Sequence, residues 1–299
     1  LVNGKRRHRS AVITFLGGGL SDGAQGPDIS VIPAAALKQI EVLRDGAAAQ
    51  YGSDAIAGVI NFVLNDASEG GSFEARYGSY YEGDGDMIQL SGNIGMPLSD
   101  KGFINLSAEY RTADDTSRSV QRDDAAALVA AGNTFVADPA QIWGSPEIKH
   151  DYKLFANLGL ELSDTAEAYM FGNFAEREVE GGFYYRNPHT RGGVYAADDG
   201  SLLVGDLTDD LSGNCPTDII PGDNVLTNER YINEVANNPD CFAFNEILPG
   251  GFTPRFGGTV TDMSLVFGTR GELANDITYD VSLNLGENEV DFVISNTIN

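Results

Sequence analysis

The chain has 299 residues, with 19 Lys and Arg against 44 Asp and Glu, a formal net charge of −25. So acidic a chain is a poor partner for nucleic acid, whose phosphates demand cationic surface. No signal peptide is visible after Leu1, and no run of about 18 apolar residues predicts a membrane-spanning helix. A β-barrel stays open to the reading, because its strands alternate and never form an apolar window. The segment up to Asp66 is neutral: Lys5, Arg6, Arg7, Arg9, Lys38 and Arg44 balance Asp22, Asp28, Glu41, Asp45, Asp54 and Asp66. The remainder carries the whole excess, so a composition break falls near Asn65.

In chain order, Leu1 and Val2 end a strand and Asn3-Gly4 reads as a turn. Gly17 to Pro27 is a Gly-rich loop; Gly17, Gly18 and Gly19 lack the Gly-Lys-Ser/Thr that a phosphate cradle requires. Ile32-Pro33 opens a helix through Ala34 to Leu37, with Pro at the first helical position. A short apolar strand from Gln39 to Leu43 is closed by Asp45-Gly46. A helical turn follows over Ala47 to Tyr51, then a second buried strand over Ile56 to Leu64. This small α/β unit is too small to be a whole domain.

After Gly70 the pattern changes to period two, the mark of half-buried strands. Phe73, Ala75, Tyr77 oppose Ser72, Glu74, Arg76. Ile88, Leu90, Gly92, Ile94 oppose Gln89, Ser91, Asn93. Ile104, Leu106, Ala108, Tyr110 oppose Asn105, Ser107, Glu109, Arg111. Tyr152, Leu154, Ala156, Leu158, Leu160 oppose Lys153, Asn157, Glu161. Further strands run over Thr165 to Glu178 (Ala166, Ala168, Met170, Phe174), Thr259 to Arg270 (Met263, Leu265, Phe267) and Ile277 to Leu285. These runs of about 9–13 residues exceed the usual globular strand of about 5–6 and suit tilted membrane-spanning strands of about 9–11.

The connections alternate in length. Tight turns fall at Pro97 to Gly102, Leu162 to Asp164 and Leu273 to Asp276. At the other end of the hairpins lie Glu82 to Asp86, a long connection from about Ala113 to Lys149, and a very long irregular one from about Val179 to Gly258. Outer-membrane barrels have this asymmetry, with short periplasmic turns and long external loops. The longest connection is acidic and carries Phe183, Tyr184, Tyr185, Tyr195, Tyr231, Phe242 and Phe244. It suits either a ligand-binding face or plain solvated surface. His189 stands alone there. Asp84 and Asp86 do not have the spacing of an EF-hand loop. Cys215 and Cys241, with no CxxC and no nearby His pair, read as one disulfide closing a loop of about 25 residues in an oxidising compartment. No nucleophile, base and orienting group assemble, so neither an enzyme nor a cofactor or metal site is expected.

The stretch IPAAALKQIEVLRDGAAAQYGSDAIAGVINFVLN, Ile32 to Asn65, resembles the closing half of the plug of TonB-dependent outer-membrane receptors. Its motif residues are Asp45, Gly46, Tyr51, Gly52, Ser53, Asp54, Gly58 and Asn61, and VNGKRRHRS, Val2 to Ser10, resembles an earlier plug strand and turn. The resemblance implies a mainly β chain: part of a small α/β plug over residues 1–66, then over 67–299 about seven antiparallel strands of a 22-stranded barrel. Seven strands would leave the sheet open. It implies a receptor in the outer membrane of a Gram-negative bacterium, in contact with its lipid. The expected activity is import of a siderophore, cobalamin or oligosaccharide, energised by a TonB-type coupling protein whose contact segment lies upstream. A passive porin or adhesin barrel is the alternative. In the family, the arginine of the motif pairs with carboxylates of the barrel wall, so Glu41 and Arg44 are the expected plug–barrel lock. Gly17, Gly18 and Gly19 are the expected ligand-facing loop. The basic run Lys5 to Arg9 is read as a plug face meeting an acidic lumen, since Glu74, Glu109 and Glu161 fall on inward strand faces.

Overall fold

The computed structural model describes residues 1–12, 23–44, 51–52, 55, 58–274 and 276–298. The N-terminal segment holds a hairpin-like pair, β1 (Leu37–Leu43) and β2 (Val59–Leu64), antiparallel with Glu41 opposite Asn61 and Val42 opposite Ile60. The expected helix after Pro33 is a single 3-10 turn, Ala34–Ala36, with Pro33 as its N-cap residue. Val2 and Lys5 exchange both backbone hydrogen bonds at 2.9 Å around Asn3 and Gly4, whose φ angles are 46° and 77°. Positive φ at both central residues is what Asn-Gly supplies in a tight hairpin turn.

The seven predicted strands are all present. They are β3 (Gly71–Gly78), β4 (Met87–Pro97), β5 (Gly102–Ala113), β6 (Glu147–Ser163), β7 (Ala166–Gly182), β10 (Arg255–Leu273) and β11 (Ile277–Ser295). Two further two-residue strands, β8 (Gly205–Asp206) and β9 (Cys241–Phe242), pair with each other. The large sheet runs β3-β4-β5-β6-β7-β10-β11, in chain order, with β3 and β11 as open edges. Its register keeps side chains of one kind together: Leu90 faces Tyr110 and Tyr110 faces Tyr152, while Asn93 faces Ser107 and Glu109 faces Lys153.

The two faces are inverted relative to a water-soluble sheet. Phe73, Val281 and Leu154 are 76%, 66% and 52% exposed, whereas Asn105 and Asp262 are 2% and 1% exposed. Apolar outside and polar inside is the arrangement of a wall whose outer solvent is hydrocarbon. The apolar stretch of β6 from Tyr152 to Leu162 is about 33 Å long at ~3.3 Å per residue. Tilted by about 45°, it spans ~23 Å, close to the ~25 Å apolar band of such walls. Among the outward side chains beyond it, Lys149 is ion-paired with Glu178 and His150 Nε2 lies 3.2 Å from Glu176.

The chain divides into two compact units. The first comprises Leu1–Asp114, Glu147–Val179 and Gly258–Phe292. Here Val2, Ala36 and Leu64 bury themselves against Phe155, Phe171 and Val266 of the wall. Among the described residues, the N-terminal segment thus completes this core with inward-facing wall side chains.

The second unit comprises Asp115–Pro146, Glu180–Gly257 and Val293–Asn299. The two long connections, the longer of them expected to be irregular, are folded. Helix α1 (Asp123–Ala130) buries Ala125 and Leu128 with Val136, Ala140 and Tyr185. Leu202, Ile219, Val225, Tyr231, Val235, Cys241 and Ala243 form a second core. Asn133 Nδ2 donates to the Pro249 carbonyl at 2.8 Å and Asn224 Nδ2 to the Ala131 carbonyl at 3.1 Å, so the two connections are tied to each other. Periodicity over long windows misses such structure because each element is only a turn or two long.

Candidate functional site

The basic run is where the N-terminal segment meets the wall. Beyond the Asn3-Gly4 turn the chain runs extended, and its residues meet rising levels of β11. Lys5 Nζ pairs with Asp280 at 2.7 Å, Asn284 Nδ2 donates to the Arg6 carbonyl at 2.5 Å, and Ala11 N–H donates to Asn288 Oδ1 at 2.6 Å. Tyr169 supports the lower end, its hydroxyl donating to Asp280 at 2.6 Å while its ring lies under Lys5. At the level of His8 the wall residue is Gly286. A Cβ there would overlap the His8 imidazole and lie 2.9 Å from its Cβ.

The hub of this contact is Asp262 on β10. Its carboxylate receives Arg7 Nη2, and His8 Nε2 lies 2.8 Å from Oδ2. Asn173 Nδ2 donates to Oδ1 at 2.9 Å and Asn288 Nδ2 to Oδ2 at 3.0 Å. The Arg7 guanidinium also donates to Asn173 Oδ1 at 3.1 Å and Ser264 Oγ at 3.3 Å. The Arg7 and Asp262 side chains are 6% and 1% exposed. A buried carboxylate needs partners on all its lone pairs, because desolvation alone costs several kcal/mol; here both oxygens are fully engaged. Burial is the largest effect on Arg7, holding its pKa below the usual value against the opposing pull of Asp262 and Asp28.

A second patch is neutral. Asn157 Nδ2 donates to the Asn65 carbonyl at 2.8 Å, and Asn3 Nδ2 to Asn157 Oδ1 at 3.4 Å. Asn105 Nδ2 donates to the Ala67 carbonyl at 3.2 Å. Above it, Lys153 sits between Glu109 at 2.5 Å and Asp151 at 3.3 Å, all three buried.

The residues expected to lock the segment are placed differently. Glu41 is exposed and accepts from Gln39 Nε2 at 2.7 Å and Asn61 Nδ2 at 2.9 Å. Arg44 is exposed, and among the described residues neither it nor Glu41 ion-pairs with the wall. Asn61 also accepts the Gly4 N–H at 2.8 Å, so it joins β1, β2 and the turn. Gly58 has φ +138°, and a Cβ there would collide with the Leu43 carbonyl and lie 3.3 Å from that of Arg44. Only glycine fits both the angle and the space. Tyr51 and Gly52 are exposed, the latter with φ +88°. Asp45, Gly46, Ser53, Asp54, Gly17, Gly18 and Gly19 lie outside the described residues.

In the second unit Cys215 and Cys241 form a disulfide, with Cα atoms 5.6 Å apart. His189 Nε2 accepts the Val225 N–H at 3.1 Å, which makes it a structural acceptor. Burial holds its pKa below the ordinary histidine value, opposed by Asp223. Among the described residues no group of His, Cys, Asp or Glu is arranged to hold a metal ion.

Asp262, Asn173, Asn288 and Asp280 were not singled out from sequence. A signal was available: each sits one residue out of phase with the apolar face of its strand, Asp262 beside Met263 and Asp280 beside Val281. What alternation could not say is which inward residue meets the basic run.

Residues 1–59 match the family model of the TonB-dependent receptor plug domain. The vitamin B12 transporter BtuB of Photobacterium profundum is 34% identical over 90 residues, 30% of this chain and 14% of that protein. Among solved structures, a G324V mutant of the ferric enterobactin receptor PfeA from Pseudomonas aeruginosa is 14% identical with a TM-score of 0.45, covering 100% of this chain and 38% of that one. The siderophore receptor PirA from Acinetobacter baumannii is 15% identical with a TM-score of 0.36, over 90% of this chain and 34% of that one. The chain thus spans well under half the length of each of these proteins.

Proposed function

We propose that the protein to which this chain belongs, a TonB-dependent receptor of the Gram-negative outer membrane, imports a scarce or bulky nutrient by energy-coupled transport. A siderophore or cobalamin is the ligand class favoured by the likeness to BtuB and to siderophore receptors; an oligosaccharide is the further class. In this reading residues 1–66 are plug and 67–299 wall. Ligand meets the external loops and the outer face of the plug, where Gly17, Gly18 and Gly19 are assigned. A TonB-type protein pulls on the N-terminal part of the plug. Glu41 and Arg44 are assigned a contact with wall strands other than β3 to β11, and Asp45, Gly46, Tyr51, Gly52, Ser53, Asp54, Gly58 and Asn61 are assigned to the plug motif.

One observation carries the reading: a plug-matching segment is held by a buried ionic hub to the polar inner face of a wall that is apolar outside. A passive pore has no use for a segment that fills its lumen. A plug that must stay seated until force arrives does, and Asp262 with Arg7 and His8 supplies the hold. The test is ligand uptake by the full-length receptor in cells with and without the coupling protein. Uptake that collapses without it supports the proposal; undiminished uptake overturns it in favour of passive passage.

A further inference from the structure

The plug segment touches the wall in two chemically different ways. At β6 the contacts are neutral, between Asn157 and the Asn65 carbonyl and between Asn3 and Asn157. Along β10 and β11 they include two ion pairs, Lys5 with Asp280 and Arg7 with Asp262, with His8 Nε2 2.8 Å from the Asp262 carboxylate and neutral bonds at Asn284 and Asn288. Charge-assisted bonds are roughly twice as strong as neutral ones, and those at Asp262 are shielded from water. Shape adds to charge, since the His8 ring occupies the notch that the missing side chain of Gly286 leaves. Four wall levels on β11, from Asp280 to Asn288, each meet the segment between Lys5 and Ala11.

We propose that Lys5 to Ala11 is a fixed strap. It stays on β10 and β11 throughout transport, with Asp262 as its anchor and Gly286 as the notch that sets its register. The moving part of the plug excludes it, and the passage opens away from these two strands. The inference rests on the uptake reading above. Asp262 and Gly286 are positioning residues, acting through where they hold the plug.

The full-length receptor carrying His8→Cys and Gly286→Cys tests this directly. The two Cβ positions lie 2.9 Å apart, so a small adjustment brings them to the ~3.5–4.5 Å of a disulfide. The native cysteines are already paired, which leaves no free native thiol among the described residues. Uptake by the oxidised receptor should stay within 2-fold of the reduced one. Loss of uptake on oxidation that reduction restores overturns the proposal, provided the unaltered receptor is indifferent to the same treatments. A second measurement uses His8→Cys alone and a small thiosulfonate reagent. Its labelling rate should change by less than 2-fold when ligand and energised coupling protein are added, and should rise at least 10-fold in the Asp262→Asn background. A 10-fold rise on energisation without that substitution also overturns the strap. Uptake that does not need the coupling protein would instead remove the import reading, and the labelling rates would still judge the strap.

Discussion

Replacing Asp262 with Asn changes one atom type at the centre of the plug–wall contact. The carboxylate accepts from the Arg7 guanidinium and two amide donors, and His8 Nε2 lies 2.8 Å from it. A hydrogen bond involving a charged group contributes about 1.5–3 kcal/mol, so removing the carboxylate charge from its bonds to Arg7 and His8 would cost ~3–6 kcal/mol at most. Breaking a buried pair by removing one partner costs about 3–5 kcal/mol. Arg7 keeps Asn173 and Ser264 as acceptors, so the low end applies, and about 3 kcal/mol is expected. The assay is native-state hydrogen exchange on the full-length receptor, read at the Ala11 amide, which is protected by Asn288. Its opening free energy should fall by ~3 kcal/mol, a protection loss of more than 100-fold. Arg7→Met should cost a similar amount, and the double variant less than the sum by at least ~1.5 kcal/mol, as groups in one network couple. A loss under 1 kcal/mol, or costs that simply add, would refute the hub.

Three other outcomes follow from the same structure. Leu154→Arg puts a cation on the outward face within the apolar band and should cost ~2–4 kcal/mol in refolding into vesicles. Asn284→Arg, on the inward face of β11, should be milder, and equal costs would reverse the assignment of faces. Reducing Cys215–Cys241, or Cys215→Ser, should weaken the second unit by about 3 kcal/mol in the loop-entropy model; limited proteolysis should then cut first between residues 205 and 241, and unchanged cleavage would count against it. His189 has a depressed folded pKa. Its contribution is complete above the unfolded value near ~6.5 and is lost as pH falls from there through the folded value, because the unfolded chain binds the proton more readily. His189→Gln, which keeps an acceptor for the Val225 N–H, should flatten that acid limb of the melting curve; an unaltered slope would assign it to other groups.

Much of the wall was legible in the sequence, because strand alternation is local. A side chain's face follows from its parity, and parity survives any arrangement of neighbouring strands. All seven wall strands were therefore readable from runs such as Leu154 to Leu160, as were the tight turns between them and the pairing of two cysteines. The Asn3-Gly4 turn was equally local, since two adjacent positive φ angles select those residues.

What alternation could not reach was the contact between Arg7 and Asp262, partners separated by more than 250 positions. Charge order along the chain marked the basic run and an acidic remainder, but many acids face inward. Which one meets Arg7 depends on where the strap runs and on the notch at Gly286. Both are settled only when β10 and β11 stand side by side and the N-terminal residues Val2, Ala36 and Leu64 pack on Phe155, Phe171 and Val266. The same reason explains the second unit, whose short helices and two-residue strands carry no long period. Asn133, Asn224 and Tyr185 join its two connections. Sequence thus determined the strands, their faces and the turns, which depend on neighbours in the chain; the tertiary structure decided the lock and the folded loops, which depend on neighbours in space.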